Sequence, residues 1–194
     1  MDDEHPSMGP SPAPSVRGRH LVATPPMLDP NFHQTVIFML EHGDEGALGL
    51  VLNRPSELPV AGTIDDWADV TSEPRVMFVG GPVSPSSVIA MATVHLDDAG
   101  DNWSPVVGRL GTVDLEVPPD EVPGLDRVRL FAGFASWAPG QLEAELVDDA
   151  WFVVDAKIDD ILTTDPDELW WTVLDRQPGA LGRLRHFPPD PSHN

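Results

Sequence analysis

Cysteine and tyrosine are both absent from the 194-residue chain, and Lys157 is its single lysine. The absence of cysteine excludes a disulfide framework, a thiol nucleophile and a thiolate metal site, and it is typical of a reducing compartment. The only lysine lies between Ala156 and Ile158. A phosphate-binding P-loop, which needs Gly-Lys followed by Ser or Thr, is therefore excluded.

Basic residues are scarce as well. The chain has 11 Lys and Arg residues against 32 Asp and Glu residues, and its formal net charge is −21. Binding to nucleic acid draws much of its affinity from cations that neutralise phosphates. The nearest basic cluster, "RLRHF" at 183–187, is too short to offset this charge. We therefore expect no nucleic-acid partner, and we interpret the acidity as favouring solubility.

Long apolar runs are missing too. None approaches the roughly 20 residues that a membrane helix requires. The N-terminal sequence "MDDEHPSMGP" is acidic and Pro-rich, and it lacks the basic start and apolar run of a signal peptide. The chain therefore predicts a soluble cytoplasmic protein without a membrane partner.

Both ends of the chain have the composition of tails. Residues 1–16 are acidic and Pro-rich, and such a segment buries too little apolar surface to offset its ordering entropy. We predict a disordered tail over 1–16, a single domain over 17–187 and a flexible tail over 188–194. A domain of this length buries roughly 70% of the surface exposed by its unfolded chain, so it needs no metal or disulfide for stability.

Short β-type runs make up most of the body. The first two are separated by "EHGDEG", in which Gly43 and Gly46 predict the turn of a hairpin. Seven strands are predicted, at 35–40, 47–53, 75–81, 87–94, 109–117, 127–134 and 151–156.

Three short helices are predicted between and after the strands, at 63–69, 141–146 and 165–179. Thr63 opens the first with a capping-box pattern, and Asp165 is expected to cap the last, with Pro166 in its first turn. Many strands with few, short helices favour an α+β fold with a mixed, mostly antiparallel sheet.

Several stretches together resemble one family. "GRHLVATPPMLDPNFHQTVIFMLEHGDEGALGLVLNRP" (18–55), "FVGGPV" (78–83) and "FASWAPGQLEAEL" (134–146) are similar to the signatures of the AlgH/YqgE proteins. The resemblance covers about residues 18–175. It implies a sheet that is partly closed like a barrel and flanked by helices. The family's label as a transcriptional regulator implies DNA binding, but the resemblance implies no catalytic residue.

The chain departs from the family pattern at two positions. The family commonly has Gly-Tyr before the third signature and Gly after its Trp, whereas this chain has Gly133-Phe134 and Ala138. Any role of the tyrosine phenol is therefore missing here.

Catalytic signatures are missing from the sequence. Ser136 in "GFASW" lacks the flanking glycines of a nucleophile elbow. The glycines of "GDEGALG" are followed by β-type residues rather than the helix of a dinucleotide site. No two histidines have the i, i+4 spacing of a helical zinc site, and "HLDDAGDNW" is too short for an EF-hand loop. We predict no catalytic residue, metal or cofactor.

Three segments carry candidate binding residues. Arg54, at a predicted strand end, suits bidentate contact with carboxylate or phosphate, although an internal ion pair is the simpler explanation. Gly80-Gly81 can present backbone N–H groups to an anion, although a tight turn explains them as well. Pro139-Gly140 predicts a type II turn that leads into a helix. The resulting candidate ligand site comprises His42, Asn53, Arg54, Gly80, Gly81, Trp137 and Gln141.

Three functions remain open at this point. The first is a non-catalytic regulatory or protein-interaction role with an unknown protein partner. The second is an enzyme or a binder of a small anion or nucleotide, which requires the candidate residues to converge on one pocket. The third is a transcriptional regulator, which requires a helix-turn-helix and a basic face that the sequence does not contain.

Overall fold

A computed structural model of the protein describes residues 14–96 and 99–179. Most of the predicted N-terminal tail and all of the tail at 188–194 lie outside the described residues. Residues 14–16, which we assigned to the first tail, are described, and the structure buries Val16 in the core.

Ten strands and four short helices occur in the described residues. The strands are β1 (Arg19–Ala23), β2 (Val36–Gly43), β3 (Gly46–Val51), β4 (Pro55–Pro59), β5 (Val76–Val79), β6 (Val83–Val94), β7 (Trp103–Val107), β8 (Leu110–Val113), β9 (Leu125–Trp137) and β10 (Trp151–Asp155). The helices are α1 (Asp65–Ala68), α2 (Gln141–Val147), α3 (Ile158–Ile161) and α4 (Leu169–Asp175). A 3₁₀ turn spans Pro119–Glu121.

All the strands belong to one sheet with the order β10-β1-β2-β3-β9-β6-β8-β7, and β5 pairs with both β4 and β9. Every strand pair is antiparallel except β5 with β9. The predicted α+β fold with a mixed, mostly antiparallel sheet is confirmed. The predicted hairpin is confirmed as well, since Gly43 at the end of β2 pairs with Gly46 at the start of β3.

The sheet curls into a half-barrel, and Arg17 connects two strands that are distant in its order. Its Nε donates to the carbonyl oxygen of Leu40 in β2 at 3.0 Å, and its Nη2 donates to that of Pro105 in β7 at 3.2 Å. The adjacent Gly18 donates from its amide to Met39 at 2.8 Å. The segment before β1 therefore links β2 to the far edge of the sheet.

Both faces of the curled sheet are covered. Successive side chains of a strand point to opposite faces. Val36, Phe38 and Leu40 therefore join the apolar cluster that includes α3 and α4, whereas Ile37 and Met39 join the cluster that includes α2. A third cluster lies where α1 packs against β6, β8 and β9.

The chain crosses over β9 between β5 and β6. These two strands pair with opposite edges of β9, since both pair with Phe131 and Ala132, and only three residues connect them. Gly81 lies in this connection against the β9 backbone: a Cβ there would be 2.2 Å from the carbonyl carbon of Phe134. Glycine is required at this crossing because no side chain fits.

Strands β3 and β5 meet at the same place. They pair with successive segments of β9, around Ala135 and Ala132, and the Val51 amide donates to the Gly80 carbonyl oxygen at 2.8 Å. The partner strand along this edge of β9 therefore changes from β3 to β5 at this point. Arg54 lies three residues after the end of β3.

Two predicted helix starts are wrong. The last helix begins at Leu169 rather than 165, and no side chain caps it. The Asp165 amide instead donates to Thr163 Oγ1, and Pro166 accepts from Leu169 in a separate turn. In α1 the predicted cap Thr63 donates its hydroxyl to the Pro59 carbonyl. Local side-chain bonds of Ser, Thr and Asp compete with capping, which explains both differences.

The strand predictions missed β1, β4 and β7 and extended β8 four residues too far, to 117. Pro55 and Pro59 bound β4, and Pro105 lies within β7. Proline is tolerated in edge strands but argues against a strand in sequence. β7 lies at the end of the strand order and β4 pairs only with β5, so both are edge strands.

Candidate functional site

A pocket of about 240 Å³ lies where β3 and β5 meet beside the crossing. It is lined by Pro30, Asn31, Val51, Arg54, Pro55, Val79, Gly81 and Pro82. Two of the seven candidate residues, Arg54 and Gly81, therefore line one pocket.

Arg54 is held in the pocket wall by main-chain acceptors. Its Nη1 donates to the Asn53 carbonyl oxygen at 3.2 Å, and its Nη2 donates to that of His33 at 2.5 Å. Burial lowers the pKa of Arg54 from its ordinary value, and the charge of Asp167 opposes this shift. Within the described part of the chain, no carboxylate oxygen lies within 4.0 Å of the guanidinium, so the expected internal ion pair is not formed.

Asn53 and Gly80 do not line the pocket, and their polar groups bond to neighbouring segments of the fold. The buried Asn53 side chain accepts from the Val36 amide at 3.0 Å and donates to the Gln34 carbonyl at 2.8 Å. The Gly80 amide donates to Ala132 at 2.8 Å. These bonds hold the ends of β3 and β5 that carry the pocket wall.

Comparisons with known proteins agree with this architecture. The AlgH-like family matches residues 20–182, which is most of the chain. The chain belongs to the AlgH-like family. A UPF0301 protein of Streptomyces coelicolor is 46% identical over 185 residues, which cover 93% of this chain and 96% of that protein.

Two solved structures share the fold of this AlgH-like chain. The crystal structure of a Corynebacterium diphtheriae protein superimposes with a TM-score of 0.85 at 33% identity, and it covers 90% of this chain and 94% of its own. The solution structure of AlgH from Pseudomonas aeruginosa gives a TM-score of 0.66 at 27% identity, with 97% and 98% covered. The resemblance seen in sequence is therefore confirmed.

His42 lies away from the pocket of this AlgH-like protein and holds two other segments together. Its Nδ1 accepts a hydrogen bond from the Val16 amide at 3.0 Å, and its Nε2 lies 2.9 Å from Glu143 Oε1. Because Nδ1 accepts, the imidazole is the neutral form that donates from Nε2. The pKa of Glu143 is lowered, first by its own backbone N–H and then by His42.

Trp137 and Gln141 also lie away from the pocket, at a junction with Glu145. The indole N–H groups of Trp137 and Trp151 both donate to Glu145 Oε2 at 2.8 Å, and Gln141 Nε2 donates to Oε1 at 3.0 Å. The Gln141 side chain also accepts from the Ala138 amide at 3.1 Å. Its hydrogen bonds therefore go to its own turn and helix.

The predicted type II turn before α2 is present. The Gln141 amide donates to the Ala138 carbonyl at 3.0 Å, and Gly140 has φ 76° and ψ −7°. These angles are those of the third residue of a type II turn. The signature around Trp137 thus joins a strand to a helix.

The sequence analysis missed a buried charged cluster. His20 Nε2 lies 3.0 Å from Asp160 Oδ2, and both Nη atoms of Arg176 donate to the same carboxylate. Burial alone would raise the pKa of Asp160, but the hydrogen bonds of Arg176 and His20 lower it to about 2. Burial lowers the pKa of His20 despite its bond to Asp160. No short motif contains these residues, so spacing gave no signal.

Arg129, like Arg17, has no carboxylate partner in the described residues, but unlike Arg54 it does not line the pocket. It is fully buried, its Nη atoms donate to the carbonyls of Thr163 and Glu73, and its guanidinium lies 4.2 Å from the centre of the Phe78 ring. Burial lowers the pKa of Arg129 to about 10. A ligand cannot reach Arg129, whereas Arg54 borders a pocket.

Over 14–96 and 99–179, no group of three or more His, Asp or Glu side chains is arranged to hold a metal ion. In the same residues, no helix has the length and apolar character needed to span a membrane.

Proposed function

We propose that this AlgH-like protein is a non-catalytic binding protein that holds an anionic group of its ligand against Arg54. The observation that carries the proposal is the guanidinium of Arg54 in the pocket wall, without a carboxylate within 4.0 Å in the described residues. Arg54 is partly buried and burial lowers its pKa, so its guanidinium favours a charged partner, and beside a cavity an anionic ligand can be that partner.

The guanidinium is positioned in advance for such a ligand. Arginine has five N–H donors in a planar fork, and the carbonyls of His33 and Asn53 each take one. The remaining donors suit bidentate contact with a carboxylate or phosphate. A group that is fixed before binding loses less conformational freedom when the ligand arrives.

The negative net charge of the chain disfavours the binding of anions elsewhere on its surface. At a formal charge of −21, the protein repels anions at long range. An anion is therefore retained only where a local cation and a fitting cavity coincide, as they do at Arg54. Binding at this site should weaken with added salt, and less so than at an exposed pair, because partly buried charges are screened less.

The pocket lining supports binding rather than catalysis. Catalysis by proton transfer needs a group such as His, Asp, Glu, Lys, Tyr or Cys at the reacting atom. The lining residues are proline, valine, glycine, asparagine and arginine. Arg54 keeps its proton under ordinary conditions, so none of them serves as a general base.

A regulatory or protein-interaction role fits such a binding protein, because a bound ligand can change how a surface meets its partner. DNA recognition receives less support. The longest helices in the described residues, α2 and α4, span 7 residues each and are short for a recognition helix in the major groove.

The test is ligand-induced stabilisation with matched variants. Thermal unfolding and calorimetry at low ionic strength would be measured with acetate, longer carboxylates, inorganic phosphate and nucleotides. A ligand at 100 times its Kd should stabilise by about 2.7 kcal/mol and raise Tm by about 5–10 °C. Arg54→Gln should abolish this shift.

Arg75→Gln is the control, because it removes the same charge from an exposed side chain paired with Glu73 at 3.1 Å. A shift that persists in Arg54→Gln, or that is lost equally in both variants, would count against the proposal.

A further inference from the structure

The pocket beside Arg54 combines apolar side chains with polar surface. Five of its eight lining residues are proline or valine, and Val79 is 46% exposed at its rim. Among the described residues, Arg54 is the only charged residue of the lining, and Asn31 has the only other polar side chain. A ligand that matches this lining has one anionic end and an apolar body.

The volume of the pocket suits a compact group. Pockets for drug-sized ligands measure about 300–1,000 Å³, and this one measures about 240 Å³. Among the described residues, no aromatic side chain lines the pocket, so a nucleotide base has no surface to stack on there.

The charge around the pocket favours a single negative charge. One guanidinium matches the two oxygens of one carboxylate. Asp167 is exposed and close enough for its charge to act on Arg54. A phosphate dianion would bring a second negative charge near Asp167, and the described lining offers no second cation to balance it.

We propose that the pocket binds the carboxylate of a compact aliphatic acid, with the two oxygens on Arg54 and the apolar body against Val51, Val79 and the surrounding prolines. This inference rests on the proposed binding function and specifies the class of ligand. The same chemistry occurs in a free short-chain acid and in the C-terminal Val or Ala residue of a polypeptide.

The experiment compares ligand classes by titration calorimetry and by the methyl resonances of Val51 and Val79. The probes are isobutyrate, isovalerate, inorganic phosphate, adenosine monophosphate, and a short peptide ending in Val with a free or an amidated terminus. We expect the branched acids or the free-terminus peptide to bind at least tenfold more tightly than either phosphate. The valine methyl resonances should shift on binding.

Three variants test the geometry. Arg54→Gln should weaken carboxylate binding at least about tenfold, since it removes a charge-assisted bidentate contact. Val79→Glu, at an exposed position, should weaken carboxylate binding as strongly as Arg54→Gln does. It places a competing carboxylate at the rim of the pocket and leaves Arg54 in the chain. Arg75→Gln should leave the affinity unchanged.

The outcomes separate this inference from the proposed function. If phosphate or the nucleotide binds more tightly than the carboxylates, or if the amidated peptide binds as well as the free one, the aliphatic acid is wrong and the anion site stands. If no probe binds through Arg54, both are wrong. A preference between free acid and free-terminus peptide supports the inference and identifies the source.

Discussion

Gly81 and Gly133 lie backbone against backbone where the chain crosses over β9. A Cβ on Gly133 would be 2.6 Å from the Gly81 carbonyl oxygen, and Gly133 has φ +71°. Gly133→Ala would therefore combine a backbone clash with an unfavourable dihedral angle. We expect it to lower the free energy of unfolding by about 3 kcal/mol, measured by urea denaturation.

Gly43→Ala is the matched control for that substitution. A Cβ on Gly43 meets no atom within 4 Å, and its φ is not in the left-handed region. We expect a change within about 0.5 kcal/mol. Equal stability of the Gly133 and Gly43 variants would show that the crossing is less close than described.

Glu145 should be essential for the junction of α2, β9 and β10. Its carboxylate accepts from the indole N–H groups of Trp137 and Trp151, which are both buried. Glu145→Ala leaves two buried donors without their acceptor and should cost about 3 kcal/mol in urea unfolding. Glu57→Ala, at an exposed position, serves as control, and similar losses in both would refute the role of Glu145.

Stability should fall with acid because of the cluster around Asp160. The pKa of Asp160 is about 2 in the folded protein and about 3.9 in the unfolded chain. Its stabilisation is present above about pH 4 and is lost as the pH falls toward 2. His20 acts in the same direction: with its pKa lowered by burial, the unfolded chain binds the proton first below about pH 6.5.

Urea unfolding between pH 7.5 and 3 would measure this dependence. Asp160→Asn should lose about 3 kcal/mol at pH 7, because it leaves the charge of Arg176 unpaired, and should unfold with a shallower acid dependence. Asp155→Asn is the control, since its carboxylate pairs with Arg19 at the surface and is 93% exposed. An unchanged acid dependence in Asp160→Asn would contradict the assignment.

Gln141→Ala should leave ligand binding unchanged. The Gln141 side chain bonds to the Ala138 amide and to Glu145, and it does not line the pocket. We expect a loss of about 1 kcal/mol in stability from these bonds and the same Kd for carboxylates in calorimetry. A Kd weakened tenfold would instead place Gln141 in the binding site.

Asp167→Asn should tighten the binding of anions. Asp167 acts on Arg54 through its charge and is exposed, so removing it lowers repulsion of a ligand carboxylate by a fraction of a kcal/mol. We expect affinity to rise about two- to fivefold at low salt and the gain to shrink at high salt. Asp175→Asn gives the same change of net charge in α4 for comparison.

The fold was predictable where sequence patterns are local. The β2-β3 hairpin follows from its glycines, and the turn at Pro139-Gly140 follows from the dihedral preferences of the pair. Helix starts were less predictable, because the Thr63 hydroxyl donates to Pro59 and the Thr163 hydroxyl accepts from the Asp165 amide in a local turn. Edge strands with proline gave no strand signal.

The candidate site was predictable only in part. Arg54 and Gly81 were found because a strand end and a glycine pair are visible in the sequence. The other lining residues come from segments whose proximity depends on β3 and β5 meeting beside β9. The hydrogen bonds of His42 and of Glu145 join residues distant in sequence or on different elements, so residue spacing could not reveal them.

The position of the pocket depends on the path of the backbone at Gly81, whereas its lining depends on individual side chains. Its position follows from chain connectivity, because the cavity forms where one strand ends, another begins and the backbone passes over a third. Substitutions of Val51, Val79 or the prolines that line the pocket can therefore accumulate during divergence without removing the cavity. Among AlgH-like proteins we expect the lining residues to vary more than the path of the backbone that forms the cavity.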